Sequence, residues 1–551
     1  MSQTQTDRPN ILWITTHDIN PHLSCYRGVY PGAEYFSTPH LDKLANEGVR
    51  FDRAFATAPV CSPSRSSIIT GRYPTSIGTM HHRTKAVPPP EVKLLPEYFR
   101  AAGYYTTVNM MLDAQLAAPA PAFDDVLPTA HWRGRPSAGT PFFSAIHLHT
   151  THESQIYLDD DAFARATPDV AEAERHDPEY APLPPYYPDT EVFRKSWARY
   201  ADLISQMDVQ VGRILQQLEE DGLAQSTIVV FWSDHGLGMP RGKRWLNDSG
   251  LHEPLIIRWP GRIRAGSVRS DLISLMDLAP TMLEVAGLSI PEHMEGKSIL
   301  RRGGDFISEP NDYVFASRDR MDEQEDTSRS ARNDRFRYIR HFHPDRSAMQ
   351  HCQYPDELGT WKEFRRLHFA ESEELARGEQ PGILSTLQRS LVAATRPQEE
   401  LYDLDADPYE ERNLAEAGEY QQVRHEMASV LDRWISSTKD LGLRPEEELL
   451  RHWRPDGQAR ITAQPETSIS ETLVTLECET PGSTIGWTFD PPQDAAPTPP
   501  HFTMMGIEVD GRRWKLYSSP FDLPSGSVVY AKAWRMGYVP SAEVVIRIGD
   551  A

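Results

Sequence analysis

The chain has 551 residues, 39% hydrophobic and 25% charged, with 57 Lys and Arg against 79 Asp and Glu for a net charge of −22. The composition is that of a globular protein large enough for one big α/β domain and smaller companions. The acidic balance argues against nonspecific binding to nucleic acid or to an anionic membrane, while leaving room for an anionic substrate in a local cationic pocket. No run of about 18 apolar residues marks a membrane span. The polar start MSQTQTDRPN lacks the charged and apolar regions of a secretion signal, so a cytoplasmic location is expected. Cys25, Cys61, Cys352 and Cys478 are far apart, which predicts neither disulfides nor a zinc-thiolate site.

In chain order, the run NILWITT (10–16) predicts a buried strand. TPHLDKLANEG follows, a helix with Thr38 as N-cap and Gly48 as stop. APVCSPSRSSIITGR (58–72) predicts a helix entered at Pro63–Ser64, with Cys61 just ahead of it. PFFSAIHL (141–148) and STIVVFW (226–232) are two further buried strands, and YADLISQMDVQVGRILQQLEEDG (200–222) is a helix between them. Strands alternating with helices predict an α/β fold with a mostly parallel sheet. Polar residues follow each strand at once: HDIN, HTTHES and SDHG. Ligands of open α/β sheets bind beyond the carboxyl ends of the strands. His17, Asp18, His149, His152, Asp234 and His235 are therefore expected to converge on one rim.

Residues 8–312 form the expected catalytic domain. Residues 313–443, with RFRYIRHFHPDR and EELYDLDADPYEERNL, predict a smaller α+β subdomain closing over it. A charged linker follows, and residues 461–551 show short alternating strands with turns, the pattern of a small Ig-like β-sandwich. Trp487, Tyr530 and Trp534 offer a sugar platform there, with core packing the simpler role for alternating aromatics.

At the start of a helix, Cys61 would see orphan N–H donors and the positive end of the dipole, a natural anion site that lowers a thiol pKa. Arg65 is placed to reach the same anion. The block Cys61-Ser-Pro-Ser-Arg65 with Thr70-Gly71 resembles the signature of the formylglycine-dependent sulfatases of the alkaline phosphatase-like superfamily. The opening RPNILWITTHD, the PFF…H strand, SDHG, GK…EPLIIRWPG and EELYDLDADPYEERNLA follow in family order from Pro9 to about Leu414. The overall pattern looks most like the N-sulfoglucosamine sulfohydrolase-like members, so a sulfamate is a substrate class beside sulfate esters of carbohydrates or aryl alcohols. The tail resembles the β-sandwich of chitobiase-type glycosidases.

The resemblance implies that a formylglycine-generating enzyme oxidises Cys61 to an aldehyde that works as its hydrate. It implies a divalent ion held by Asp18, Asp234, His235 and residue 61, with Ca²⁺ the leading candidate and Mn²⁺ or Mg²⁺ the alternatives. Hard oxygen ligands suit all three, and imidazole favours Mn²⁺. Lys243 matches the lysine on the sulfate; its neighbours Arg241 and Arg244 read as a solvated basic loop. His152 matches the histidine beside the leaving oxygen, where a near-neutral pKa suits a general acid. Two departures stand out. His17 precedes Asp18 where an aspartate is usual, and is an extra candidate ligand. Met111 and Asp113 stand where the family has a lysine and a histidine, which leaves Asp113 to accept hydrogen bonds from substrate. His82 and His149 are further candidate substrate contacts, and His81, Trp132 and the 341–354 loop are expected around them. The alternatives are a phosphonate monoester or phosphodiester hydrolase of the same superfamily, and a degenerate member that binds sulfated sugars without turnover. A homo-oligomer is compatible with the sequence.

Overall fold

The structure, a computed structural model, describes residues 8–109, 113–307, 309–492 and 510–549. The largest sheet holds eight strands: β1 (Asn10–Thr16), β2 (Val49–Phe55), β3 (Tyr105–Val108), β4 (Phe142–His147), β5 (Thr227–Ser233), β6 (His252–Arg258), β7 (Ser267–Arg269) and β8 (Ile273–Ser274). Their order is β3-β4-β1-β5-β6-β2-β7, with β8 also on β2. Every pairing is parallel except those of β6 with β5 and β2. The expected mostly parallel α/β fold is therefore present.

Burial on both faces explains the continuous apolar runs of the central strands. Ile11 and Trp13 pack into the cluster on one face with Phe143 and Val230. Leu12 and Ile14 pack into the other with Val229 and Phe231. The register sets Thr15 beside His147 and Thr16 beside Ser233. Three strands thus end level, and the polar residues after each meet.

Two local expectations change. The signature helix spans Cys61–Thr70, so Cys61 itself is the first helical residue; extended Val60 precedes it and left-handed Gly71 follows. Pro63 falls within the first turn, where a missing N–H breaks no helical hydrogen bond. The long helix runs Glu191–Glu220, starting nine residues before the expected position behind Thr190, whose side chain caps it. Thr38 does precede the helix Pro39–Glu47, but its hydroxyl bonds Ser24. The free N–H groups of His40 and Leu41 go instead to Asp208 on the long helix.

A second sheet is antiparallel, β12-β11-β10-β9, from β9 (Val314–Arg318), β10 (Ser328–Arg332), β11 (Phe336–His341) and β12 (Glu399–Asp403). The helix Gln421–Thr438 lays Met427, Leu431 and Trp434 on Tyr338 and Leu401. Beyond it, β13 (Glu466–Ser470), β14 (Leu473–Glu477) and β17 (Phe521–Asp522) form one small sheet. β15 (Thr484–Thr488), β16 (Lys515–Leu516), β18 (Val528–Trp534) and β19 (Val544–Arg547) form another. Val474, Leu476, Val529 and Ile546 fill the space between them. Trp534 is buried edge-on against Trp514, and Trp487 stacks on Phe521. These two rings pack rather than forming an open platform. Trp132 also lies away from the rim: it is fully buried and donates its indole N–H to Asp221.

Candidate active site

The level strand ends gather His17, Asp18, His149, His152, Asp234 and His235, the residues expected there, and His147 joins them. Asp18, just past β1, has φ 52. Its amide donates to Asp234 Oδ1 at 3.1 Å, and its own Oδ2 accepts from the Glu153 amide at 2.7 Å. One ligand atom each from His17, Asp18, Cys61 and Asp234 lies within 4.8 Å of the others. His235 closes the far side, with Nε2 3.2 Å from Cys61 Sγ, 3.3 Å from Asp18 Oδ1 and 3.6 Å from Asp234 Oδ2. Two carboxylates, two imidazoles and residue 61 make a donor set suited to a divalent cation, since buried like charges this close are otherwise costly.

Cations brace this cluster. Arg65 Nε donates to Asp234 Oδ2 at 2.9 Å, and its other nitrogens meet His147 Nδ1 at 2.8 Å and His17 at 3.2 Å. Lys243 Nζ lies 3.1 Å from Asp18 Oδ2 and 2.9 Å from Glu153 Oε1. Burial is the largest influence and works against the Lys243 charge, but Asp18, residue 61 and Glu153 together outweigh it and hold the ammonium pKa well above its usual range. Glu153 was missed by the sequence reading. It also takes both terminal nitrogens of Arg244, at 3.0 and 3.1 Å. Gly238 explains how the loop comes so near: a Cβ there would sit 2.2 Å from that of Glu153. Arg241 and Arg244, expected in a solvated loop, are buried; Arg241 donates to the Tyr409 carbonyl at 3.0 Å.

Two electrostatic expectations are corrected. Burial pushes the Cys61 thiol well above its ordinary pKa, against the pull of Lys243, so desolvation defeats the helix dipole. Burial likewise lowers His152 to about 4, so its ring is uncharged at neutral pH. Its Nδ1 accepts from the Ser154 amide at 3.3 Å, which leaves the proton on Nε2.

His149 stacks on His152 at 4.7 Å, and its buried Nδ1 has no partner. His82 lies 3.5 Å from Asp322 Oδ1 through Nδ1. Asp113 has a carboxyl pKa raised by burial, with Arg65 and His82 opposing. Met111 lies outside the described residues. His81 accepts from the Arg320 amide at 3.2 Å, and of the 341–354 loop Tyr354 reaches Arg244. One further signal is conformational. Of the ten non-glycine residues with positive φ among the described residues, Asp18, Arg83, Asp113, Gln115, Arg241, Arg244 and Asp322 belong to the site or the loops touching it. Strain concentrated this way marks a functional region. Gln115 ties those loops together, accepting from Ser62 and the Arg83 amide and donating to the His81 carbonyl.

A parallel-rich sheet carrying a carboxylate–imidazole cluster and a buried cysteine at a helix start has the alkaline phosphatase-like fold. The chain belongs to the sulfatase family, whose sequence pattern matches residues 9–288, and is a sulfuric ester hydrolase. A second pattern, N-sulphoglucosamine sulphohydrolase C-terminal, matches 237–349. The chain is 34% identical over 584 residues to an ulvan-active sulfatase of Formosa agariphila, covering 99% of this chain and 92% of that protein. It is 30% identical to the human N-acetylgalactosamine-6-sulfatase over 48% of this chain and 60% of that one. Among solved structures, one in complex with its substrate D-glucosamine-2-N,6-O-disulfate superposes with TM-score 0.55 at 20% identity, covering 80% and 100% of the two chains. The phosphonate monoester hydrolase of Agrobacterium radiobacter gives 0.56 at 19%, covering 78% and 96%. At such identity these two show the shared fold. No helix among the described residues is long and apolar enough to cross a membrane.

Proposed function

We propose that this sulfatase removes sulfate from a sulfated carbohydrate, as the name of its ulvan-active relative suggests, through a formylglycine made from Cys61 by a formylglycine-generating enzyme. The observation that carries this is the placement of Cys61: first residue of a buried helix, 3.2 Å from His235 and within one ligand cluster with Asp18 and Asp234. When present, the aldehyde hydrate supplies a hydroxyl nucleophile, and a divalent ion on Asp18, Asp234, His235 and His17 supplies Lewis-acid polarisation.

The chain's own residues do the rest. Lys243, bridging Asp18 and Glu153, holds a sulfate oxygen in place. Arg65 fixes Asp234 and contributes positive charge where negative charge develops. His152 presents Nε2–H to the departing oxygen as an uncharged donor. His149, His82 and Asp113 form the wall that meets the sugar. Residues 8–312 carry the reaction, 313–443 close over it, and 461–551 form an appended module.

Initial rates on sulfated oligosaccharides, an aryl sulfate, a sulfamate, a phosphodiester and a phosphonate monoester test the reading. A sulfated sugar is expected to lead, and Cys61→Ala to abolish turnover while leaving binding. Faster cleavage of the phosphonate would overturn it. Activity is also expected to fall after exhaustive chelation and to return with Ca²⁺ or Mn²⁺. Activity indifferent to chelation, in protein shown to be metal-free, would remove the ion from the scheme.

A further inference from the structure

Behind the loop that carries Lys243 lies a cavity of about 510 Å³ that the reaction does not use. Arg241, Trp245 and Asn247 form one wall; Arg318 and His341 of the antiparallel sheet form another; the helix Thr386–Val392 closes the third. Lys243 points to the other side of the same loop, onto Asp18 and Glu153.

The cavity gathers unused donors. Trp245 Nε1, Asn247 Nδ2, Arg318 Nε and Arg396 Nε are all buried without a hydrogen-bond partner. Each is a donor only, so the deficit has one sign. A buried donor left unpaired costs free energy; Arg318 Nε has Asp326 at 3.3 Å, and the other three around one void call for an acceptor.

The charge has the same sign as the deficit. Arg318 and Arg396 are both 8% exposed and share one carboxylate, that of Asp326. Arg396 binds it through its terminal nitrogens, at 3.0 Å for one of them. Arg318 meets it as an ion pair, Nε to Oδ2 at 3.3 Å, without an aligned hydrogen bond. Arg241 on the facing wall is a third guanidinium, so three cations stand against the two buried carboxylates of Asp326 and Glu400. Glu400 on the same wall is already engaged, by His341 at 3.0 Å and the Tyr402 hydroxyl at 2.8 Å, and Glu411 is exposed to solvent.

We propose that this cavity is a second binding site, for an oxyanion: free sulfate, or the acid group of an anionic sugar, received by Arg318, Arg396, Trp245 and Asn247. The volume lies within the range of small-ligand sites and admits a sugar unit. The planar guanidinium groups suit the flat pairs of oxygens that sulfate and carboxylate present. The site is separate from the reaction centre, so it stands or falls independently of the substrate assigned above.

Crystals of the full chain soaked separately in selenate and in glucuronate test this. Selenate, a sulfate analogue with an anomalous signal, is expected to show a selenium peak within hydrogen-bond reach of Arg318 and Trp245. Ordered glucuronate there, carboxylate toward the arginines, assigns the site to an acidic sugar; selenate alone assigns it to released sulfate. In solution, sulfate binding at this site is expected to weaken at least tenfold in Arg318→Gln. It should weaken as much in Ser390→Trp, which fills the void from its exposed mouth and leaves the arginines in place. Selenate found only beside Lys243 and Arg65, with water alone in the cavity after both soaks, would overturn the proposal. So would unchanged sulfate binding in both variants.

Discussion

Glu153 is shared by two buried cations, Lys243 and Arg244, and its amide holds Asp18. Glu153→Gln removes the shared charge and leaves both cations buried, which costs about 3–5 kcal/mol when such a pair is broken. A comparable loss in denaturant unfolding is expected, with turnover falling as Lys243 loses its second anchor; unchanged stability would show that the pair is not a structural support. Lys243→Ala should lower kcat/KM on the sulfate ester by about 10²–10³, the usual cost of a lost charge-stabilising donor, and should also lower the melting temperature, because Asp18 and Glu153 lose a buried partner. The strand-end residues were legible because each follows an apolar run, and Cys61, Arg65 and Lys243 because family blocks contain them. Glu153, Arg244 and Asp322 were not, since their roles arise from pairing between segments distant in sequence. Trp132 misled because an aromatic in a polar loop reads as a ligand contact, whereas its indole finds Asp221 and the core.

At the scale of elements, the antiparallel sheet β12-β11-β10-β9 is held by buried arginine–carboxylate pairs as well as by apolar contacts. Asp326, between β9 and β10, is the ion-pair partner of Arg318 and Arg396. Burial resists its charge, but these partners bring its pKa down to about 2. A carboxyl depressed on folding adds stability above its unfolded pKa, near 4, and loses it as pH falls toward 2. The contribution is on the order of 2 kcal/mol, from about 1.4 kcal/mol per pKa unit. Asp326→Asn is expected to be less stable at neutral pH and to show a flatter stability profile between pH 4 and 2; a profile parallel to the parent's would contradict this. The central strands were readable to within a residue because two-faced burial forces an unbroken apolar run. The start of the signature helix was not, because Pro63 suits the third helical position as well as the first.

Across the whole molecule, the terminal β-sheets dock on the segment 86–124 of the large sheet's surroundings. Lys93 Nζ reaches the Gly482 and Ser483 carbonyls at 3.0 and 2.9 Å, and Thr484 Oγ1 donates to Glu97 at 2.5 Å. Gly482, at φ +75, approaches so closely that a Cβ would lie 2.3 Å from the Pro90 carbonyl oxygen. Gly482→Ala is expected to loosen this contact and speed proteolysis in the 454–460 linker, while rates on a small sulfate ester stay the same; unaltered proteolysis would show that the contact tolerates the clash. The order of sheets was legible from the change in strand pattern along the chain, but this docking was not, because surface complementarity leaves no periodicity. The reaction itself rests on residue 61. Mass spectrometry of the tryptic peptide 54–65, on protein made with and without an active formylglycine-generating enzyme, reads its chemical state directly. An aldehyde in place of the thiol is expected, in a fraction that rises in proportion to the rate on the sulfate ester. Full activity from chains whose Cys61 remains a thiol would contradict the mechanism.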